Sequence, residues 1–323
     1  MALSRRQFVT QSATLAGAFA AGALVPTWAQ NTDLGNPTLP APGFRRHRLG
    51  HLEILALNDG AARRPLGEEF VRNAPLNKVR ALLALQGLPT DYIDIPFTPF
   101  VVVAGGRRIL IDSGLGDLGG PTTGKLLAQL QAAGLQAGDI DTVLVSHFHG
   151  DHINGLRHKA GTWTFPNAQI WVPAPEYGFW MDDARMEAAP AAMKGGFQNA
   201  RRVFGGLPAE RLQRFEPGTE LLPGVRSMAA YGHTPGHTLF EFDGGVRERF
   251  LYLADLTNIP SLFARSPDWA VQFDMDAEAA RQVRRQVFQK VVSEGHLVGG
   301  FHFPFPALGR MVAEGEGYEF KPV

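Results

Sequence analysis

The chain contains no cysteine. That absence excludes disulfides, thiolate zinc clusters and a cysteine nucleophile, and it leaves His, Asp and Glu as the side chains able to bind a transition metal. Neither sign of charge dominates, with 31 Lys and Arg against 31 Asp and Glu over 323 residues. Removing Arg5 and Arg6 with the first 29 residues would leave a net charge of about −2. So weak a bias excludes strong electrostatic attraction to nucleic acid. The Ala/Gly-rich run Ala13 to Val25 has 13 residues, short of the ~20 that a helix needs to cross a bilayer, so no stable membrane anchor is expected. There is no short-period repeat, low-complexity tract or composition break to mark a second large domain. What is present is core-forming material, 45% hydrophobic residues, enough for a soluble globular chain.

Ser4-Arg5-Arg6-Gln7-Phe8, the apolar run and a small-residue site ending at Ala29 have the layout of an export signal. The twin arginines predict a Tat-type signal over residues 1–29 and a periplasmic or secreted protein whose mature chain begins near Gln30. A protein exported folded by that route can take up metal before crossing the membrane. Residues 30–43, rich in Asn, Pro and Gly, predict an extended arm, and residues 44–323 one domain. Within it, strands are expected at His51 to Leu57, Phe100 to Val103, Arg108 to Ile111, Thr142 to Val145, Ala168 to Val172, Leu239 to Phe242 and Phe250 to Leu253, with a hairpin at Gly105-Gly106. Helices are expected at Lys125 to Ala133 and at Ala277 to Glu294, the latter capped by Asp276 and ended by Gly295. This mixture indicates an α/β architecture. Lys194-Gly195-Gly196 follows no strand and is expected to be a flexible connection.

The sharpest feature is Ser146-His147-Phe148-His149-Gly150-Asp151-His152, directly after an apolar strand. Side chains at i and i+2 of an extended strand exit point the same way, so His147 and His149 can grip one ion. Gly150 then turns the backbone, which places Asp151 and His152 for a second ion. Nitrogen and oxygen ligands of this kind suit Zn²⁺, with Mn²⁺, Fe²⁺ or Co²⁺ as alternatives. Neither shell closes locally, and three further residues at strand ends or turns qualify: His233, Asp255 and His302. A carboxylate such as Asp255, with two oxygens, is the natural bridge. His237 is read as a hydrogen-bonding neighbour, and His47, His51, His158 and His296 as surface or structural residues. Phe179, Trp180, Phe197, Phe263 and Phe305 are candidates to line an apolar pocket, although aromatic residues fill cores as often.

His147-X-His149-X-Asp151-His152, Gly232-His233-Thr234, Asp255 and His302 resemble the metallo-β-lactamase-fold hydrolases from about Phe44 to the C-terminus. The resemblance implies a four-layer αβ/βα sandwich with two divalent metal ions at its edge. By that likeness His147, His149 and His233 hold one ion, Asp151, His152 and His302 the other, and Asp255 and a hydroxide bridge them. Asp112, in Leu110-Ile111-Asp112-Ser113-Gly114, supports the site from behind the ligands. A narrower likeness to the methyl parathion hydrolases and related lactone or aryl-ester hydrolases is carried by Gly120-Pro121-Thr122, Phe165-Pro166-Asn167-Ala168, Phe179-Trp180, the segment Gly232 to Thr238 and Glu314-Gly315-Glu316-Gly317-Tyr318. Two departures stand against neighbouring activities. True β-lactamases of this fold lack the bridging aspartate, and its acyl-homoserine lactonases usually have tyrosine where this chain has Asn258. Gly119 stands where the methyl parathion hydrolases carry an aromatic, which would thin one pocket wall. The implied function is dinuclear, metal-dependent hydrolysis of a small apolar ester or lactone, with Asp151 or Asp255 orienting the nucleophile and handling its proton. Phosphotriester hydrolysis is the alternative, and a periplasmic metal-binding or partner-binding protein that kept the fold without catalysis the alternative outside enzymes. The family likeness also implies a homodimer.

Overall fold

A computed structural model describes residues 34–323. The expected export signal, residues 1–29, and the first residues of the expected arm, 30–33, lie outside the described residues. Strands β1 (Phe44–Leu49) and β2 (Leu52–Leu57) form an antiparallel pair. A separate hairpin, β3 (Gly60–Pro65) with β4 (Tyr92–Phe97), follows. The first sheet continues with β5 (Phe100–Ala104), β6 (Arg107–Ile111), β7 (Thr142–Leu144), β8 (Gln169–Pro173) and β9 (Leu212–Phe215), in the order β1-β2-β5-β6-β7-β8-β9. The second sheet runs in sequence order through β10 (Glu220–Leu222), β11 (Val225–Ala229), β12 (Thr238–Gly245), β13 (Glu248–Tyr252), β14 (Leu297–Gly299), β15 (Leu308–Glu314) and β16 (Gly317–Pro322).

Period-two alternation sets the layers. On β2, β5 and β6, Ile54, Ala56, Phe100, Val102, Ile109 and Ile111 enter one core with Phe240, Phe242 and Phe250 of the other sheet. Leu55, Leu57, Val101 and Leu110 enter a second core with Leu126, Leu130, Phe197 and Val203 from helices on the outer face. Helix Ala277–Glu294 packs Val287, Phe288 and Val291 against the second sheet. The result is the helix, sheet, sheet, helix sandwich. Gly105 and Gly106, at φ +55° and +81°, form the two-residue β5–β6 turn that requires positive φ at both positions.

Lys194, Gly195 and Gly196 lie inside helix Ala191–Phe204 and do not form a connection. That helix buries Phe197, Ala200, Val203 and Phe204 on one face. A Cβ at Gly196 would come within 2.8 Å of the Trp180 ring, so the glycine serves close packing.

Asp59, just after β2, ties the loop that follows β6 to the sheet. Its Oδ2 accepts from Leu115 N and its Oδ1 from Leu126 N, both at 2.8 Å. A Cβ on Gly114 would sit 2.5 Å from that carboxyl group. Burial pushes Asp59 up from 3.8 to about 7, against the backbone N–H donors that favour its ionised form. Because the folded value is raised, the folded state holds a proton that the unfolded state has released. Its stabilising effect is complete below 3.8 and is lost as pH rises through about 7. Urea unfolding from pH 5 to pH 8 should therefore show the wild type losing roughly 2–3 kcal/mol relative to Asp59→Asn. Parallel stability curves for the two proteins would contradict this assignment.

Candidate metal centre

All the candidate ligands leave the ends of strands. The segment after β7 carries His147, His149, Asp151 and His152, with Asp151 and His152 on the short helix Gly150–Ile153. His233 sits in the turn between β11 and β12, and the parallel pair β13–β14 delivers Asp255 and His302. Ala254 holds φ +44°, a left-handed conformation that is costly for a side chain bearing Cβ, and it turns the chain just before Asp255.

The structure brings these seven residues into two adjoining groups: His147, His149, His233 and Asp255, and Asp151, His152 and His302. His149 Nδ1 lies 3.1 Å from His147 Nε2 and 2.9 Å from His233 Nε2. In the second group Asp151 Oδ2 lies 3.5 Å from both His152 Nε2 and His302 Nε2. Asp255 reaches both groups, with Oδ2 at 3.2 Å from His233 Nε2 and 3.0 Å from His302 Nε2, and Oδ1 at 3.2 Å from His152 Nε2. Ligands ~2.0–2.1 Å from a tetrahedral ion stand about 3.3 Å from one another, close to these separations. Asp255 Oδ1 and His152 Nε2 are buried without a hydrogen-bond partner. Lone pairs converging in this way fit divalent cations, and the two groups together fit a dinuclear site.

Burial pushes His149 down to about 3 and His147 well below its ordinary value, so both stay neutral, as ligands must. Burial opposes charge at His233 and His152 as well, but the carboxylates win. Asp255 and Asp274 raise His233 to about 9, and Asp255, Asp151 and Asp112 raise His152 well above its usual range.

The imidazoles of His147, His152, His233 and His302 are oriented from behind, which fixes their tautomers and directions. Asp112 Oδ2 lies 2.8 Å from His152 Nδ1 and accepts from Tyr252 OH and Ser146 Oγ at 2.7 Å. Ser146 Oγ is also 3.0 Å from His147 Nδ1. Pro96 O holds His302 Nδ1 at 2.8 Å. His237 spends both nitrogens on the backbone: Nδ1 donates to Ala230 O at 2.9 Å, and Nε2 accepts from Asp255 N at 3.1 Å. Three buried residues here had no signal in the sequence. Asp274 Oδ1 holds His233 Nδ1 at 2.9 Å, and its Oδ2 lies 3.4 Å from the buried Arg284 guanidinium. Glu176 accepts from Phe148 N, Trp180 Nε1, Thr234 Oγ1 and Gly236 N, at 2.7–2.9 Å, and so fastens the His147–His152 segment to the His233 turn.

A cavity of about 240 Å³ opens over His149, Asp151, Asp255 and His302, and its walls include Arg64, Ile95, Leu115, Asn154 and Phe273. The five expected pocket aromatics are not among the lining residues. Trp180 and Phe197 are buried, their rings 4.9 Å apart, with Phe179 5.4 Å from Phe197, in the core beneath the first sheet. The Trp180 indole N–H is taken by Glu176. Phe263 is fully buried behind Phe70, whose other neighbour is the wall residue Phe273. Phe305 lines a separate cleft with Pro260 and Phe320. Asn258 is buried with neither amide atom hydrogen-bonded, outside the lining of the cavity.

Fold and site together define the class. Residues 98–295 match the metallo-β-lactamase superfamily, and the chain belongs to it. It is similar to AidC, a dizinc quorum-quenching lactonase solved with a product, with 27% identity, 87% of this chain and 97% of that one covered, and a TM-score of 0.79. AbOPH, a hydrolase of the β-lactamase superfamily, gives 27% identity, the same coverage and a TM-score of 0.80. Anti-Pycsar protein Apyc1 from Paenibacillus harenae is 29% identical over 177 residues, 52% of this chain and 64% of that protein. The match thus spans less than two thirds of the length of Apyc1.

Proposed function

We propose that the protein hydrolyses small esters or lactones, in the manner of the lactone and aryl-ester hydrolases related to methyl parathion hydrolase. The observation that carries this reading is the small cavity set directly over Asp151, Asp255, His149 and His302, with Ile95, Leu115 and Phe273 as apolar walls. Two divalent ions, most simply Zn²⁺, would supply Lewis acidity toward the carbonyl oxygen and water acidified to near neutrality. Asp151 or Asp255, both lining the cavity, orients the attacking water, takes the proton it releases and passes that same proton to the leaving alkoxide or phenoxide oxygen. The apolar walls exclude bulk water and favour substrates with little charge near the reacting carbon.

Elemental analysis of purified protein is expected to give about two metals per chain. The same sample should hydrolyse dihydrocoumarin and a 4-nitrophenyl ester, lose at least 100-fold in rate on chelation, and regain it with Zn²⁺. Turnover of a methyl phosphotriester far above both carbonyl substrates would make organophosphates the substrate class. Metal-loaded protein inert toward all three would remove the catalytic reading.

A further inference from the structure

Among the described residues Glu176 is the one fully buried glutamate, and it does not line the cavity. It stands in the first turn of helix Ala174–Trp180, directly after β8. Its Oε1 accepts from Phe148 N at 2.9 Å and from Trp180 Nε1 at 2.7 Å. Its Oε2 accepts from Thr234 Oγ1 at 2.8 Å and from Gly236 N at 2.7 Å. Phe148 lies between His147 and His149, and its ring stacks on Phe204 with centroids 4.3 Å apart, so that segment is also anchored in the outer core. Thr234 and Gly236 belong to the turn that carries His233. A Cβ at Gly236 would come within 2.3 Å of Glu176 N, so the turn reaches the helix only because that position is glycine.

One oxygen thus faces the His147–His149 segment and the other the His233 turn. The carboxylate braces the gap across which His149 Nδ1 and His233 Nε2 stand 2.9 Å apart. The two segments share one backbone bond as well, Thr238 N to Ser146 O at 3.1 Å, which no change at Glu176 removes. The second group of ligands is held by other means, with Asp112 behind His152 and Pro96 O behind His302, both at 2.8 Å. Glutamine at position 176 would fill the same space, but its amide nitrogen must face one pair of these donors. Phe148 N and Trp180 Nε1 can only donate, whereas Thr234 Oγ1 can turn and accept. The amide oxygen therefore takes the Phe148 side, and the brace breaks at the Gly236 N–H, on the side of His233.

We propose that Glu176 is a positioning residue that sets the affinity for one of the two metal ions, the one held by His147, His149 and His233, by bracing the His233 turn against the His147–His149 segment. This rests on the two-metal reading of the site and deepens it, because the two ions then depend on separate supports behind their ligands.

Competition between the metal-free protein and a chromophoric chelator for Zn²⁺ reads both affinities. Glu176→Gln is expected to weaken one ion about tenfold or more and to leave the other within about twofold of wild type. Thr234→Val, which removes one bond on the turn side alone, should weaken the same ion about threefold or more. Trp180→Phe takes a donor from the same carboxylate without touching a ligand segment, so it should lower stability to urea and leave both affinities within about twofold. With isotope-labelled histidine and one equivalent of NMR-active cadmium, the ion retained by Glu176→Gln should couple to two imidazoles, those of His152 and His302, and not to three. If Glu176→Gln fails to fold, Thr234→Val carries the comparison. Equal weakening of both ions, no weakening of either, selective loss of the ion at His152 and His302, or a fall of the same size in Trp180→Phe overturns the proposal while the metal centre stands. Wild-type protein that binds fewer than two Zn²⁺ overturns both.

Discussion

Asp255→Ala is expected to cost the protein metal as well as rate. Its content should fall from about two ions per chain to one or fewer, and kcat/KM should drop by roughly 10³ or more. The reason is the position of this carboxylate. One oxygen lies within 3.2 Å of ring nitrogens from both ligand groups, and the other faces His152. Among the described residues no other acidic side chain touches both groups so closely, so removing it leaves five histidines facing two cations with Asp151 as the remaining carboxylate. The wild-type arrangement also depends on its charge, since Asp255 is the main group favouring the charged form of His233 and His152 against burial. Asp255→Asn, which keeps the shape and loses the charge, should fall nearly as far. Elemental analysis and steady-state kinetics on one preparation decide the matter. A variant with two metals and full activity would sink the assignment of Asp255 as the shared ligand.

Arg284→Met is the second large expected effect, and it is one of stability. The Arg284 side chain, on helix Ala277–Glu294, is fully buried and donates to Leu256 O at 2.7 Å, Trp269 O at 2.7 Å and Pro267 O at 3.1 Å, with Asp274 at 3.4 Å. Methionine fills similar space but supplies none of these donors, and it leaves the Asp274 carboxylate buried without its counter-charge. Breaking a buried pair from one side costs about 3–5 kcal/mol. Urea unfolding should show a loss of that order. Because Asp274 also holds His233, Zn²⁺ affinity should fall by about 10–100-fold. A change in stability below about 1 kcal/mol would mean that the network around Asp274 is dispensable.

The parts of this molecule legible in the sequence were those in which chemistry and periodicity coincide. Four ligands fall within six residues after an apolar strand, and Asp255 and His302 follow short buried runs, so strand ends marked the site before any coordinates. The helix Ala277–Glu294 was equally plain, since Asp276 caps it and Gly295 ends it in the left-handed conformation. The same helix shows where such reading stops. Arg284 lies on the stripe of Val287, Phe288 and Val291, yet a charged residue there reads as solvent-facing until its carbonyl partners are known. The cavity walls were hidden for a related reason. Arg64, Ile95 and Phe273 come from a hairpin and a loop far apart in the chain and carry no local motif. The aromatic residues proposed in their place are large and apolar, but size alone does not distinguish a core face from a pocket face. Glu176 and Asp274 act only through tertiary neighbours, which spacing cannot report.

The division of the ligands between the sheets has a mechanical consequence. One sheet supplies His147, His149, Asp151 and His152, and the other supplies His233, Asp255 and His302, so an ion in either group is bonded to both halves of the sandwich. In a chain with no cysteine, metal coordination would add to the Tyr252–Asp112 hydrogen bond and the shared apolar core across the seam between the sheets, closing loops as a covalent staple would. Loss of the ions would then loosen the molecule first along that seam and at the cavity mouth, while the hydrogen-bonded ladders within each sheet held. The element that performs the chemistry would also be the clasp that keeps its own substrate chamber in shape.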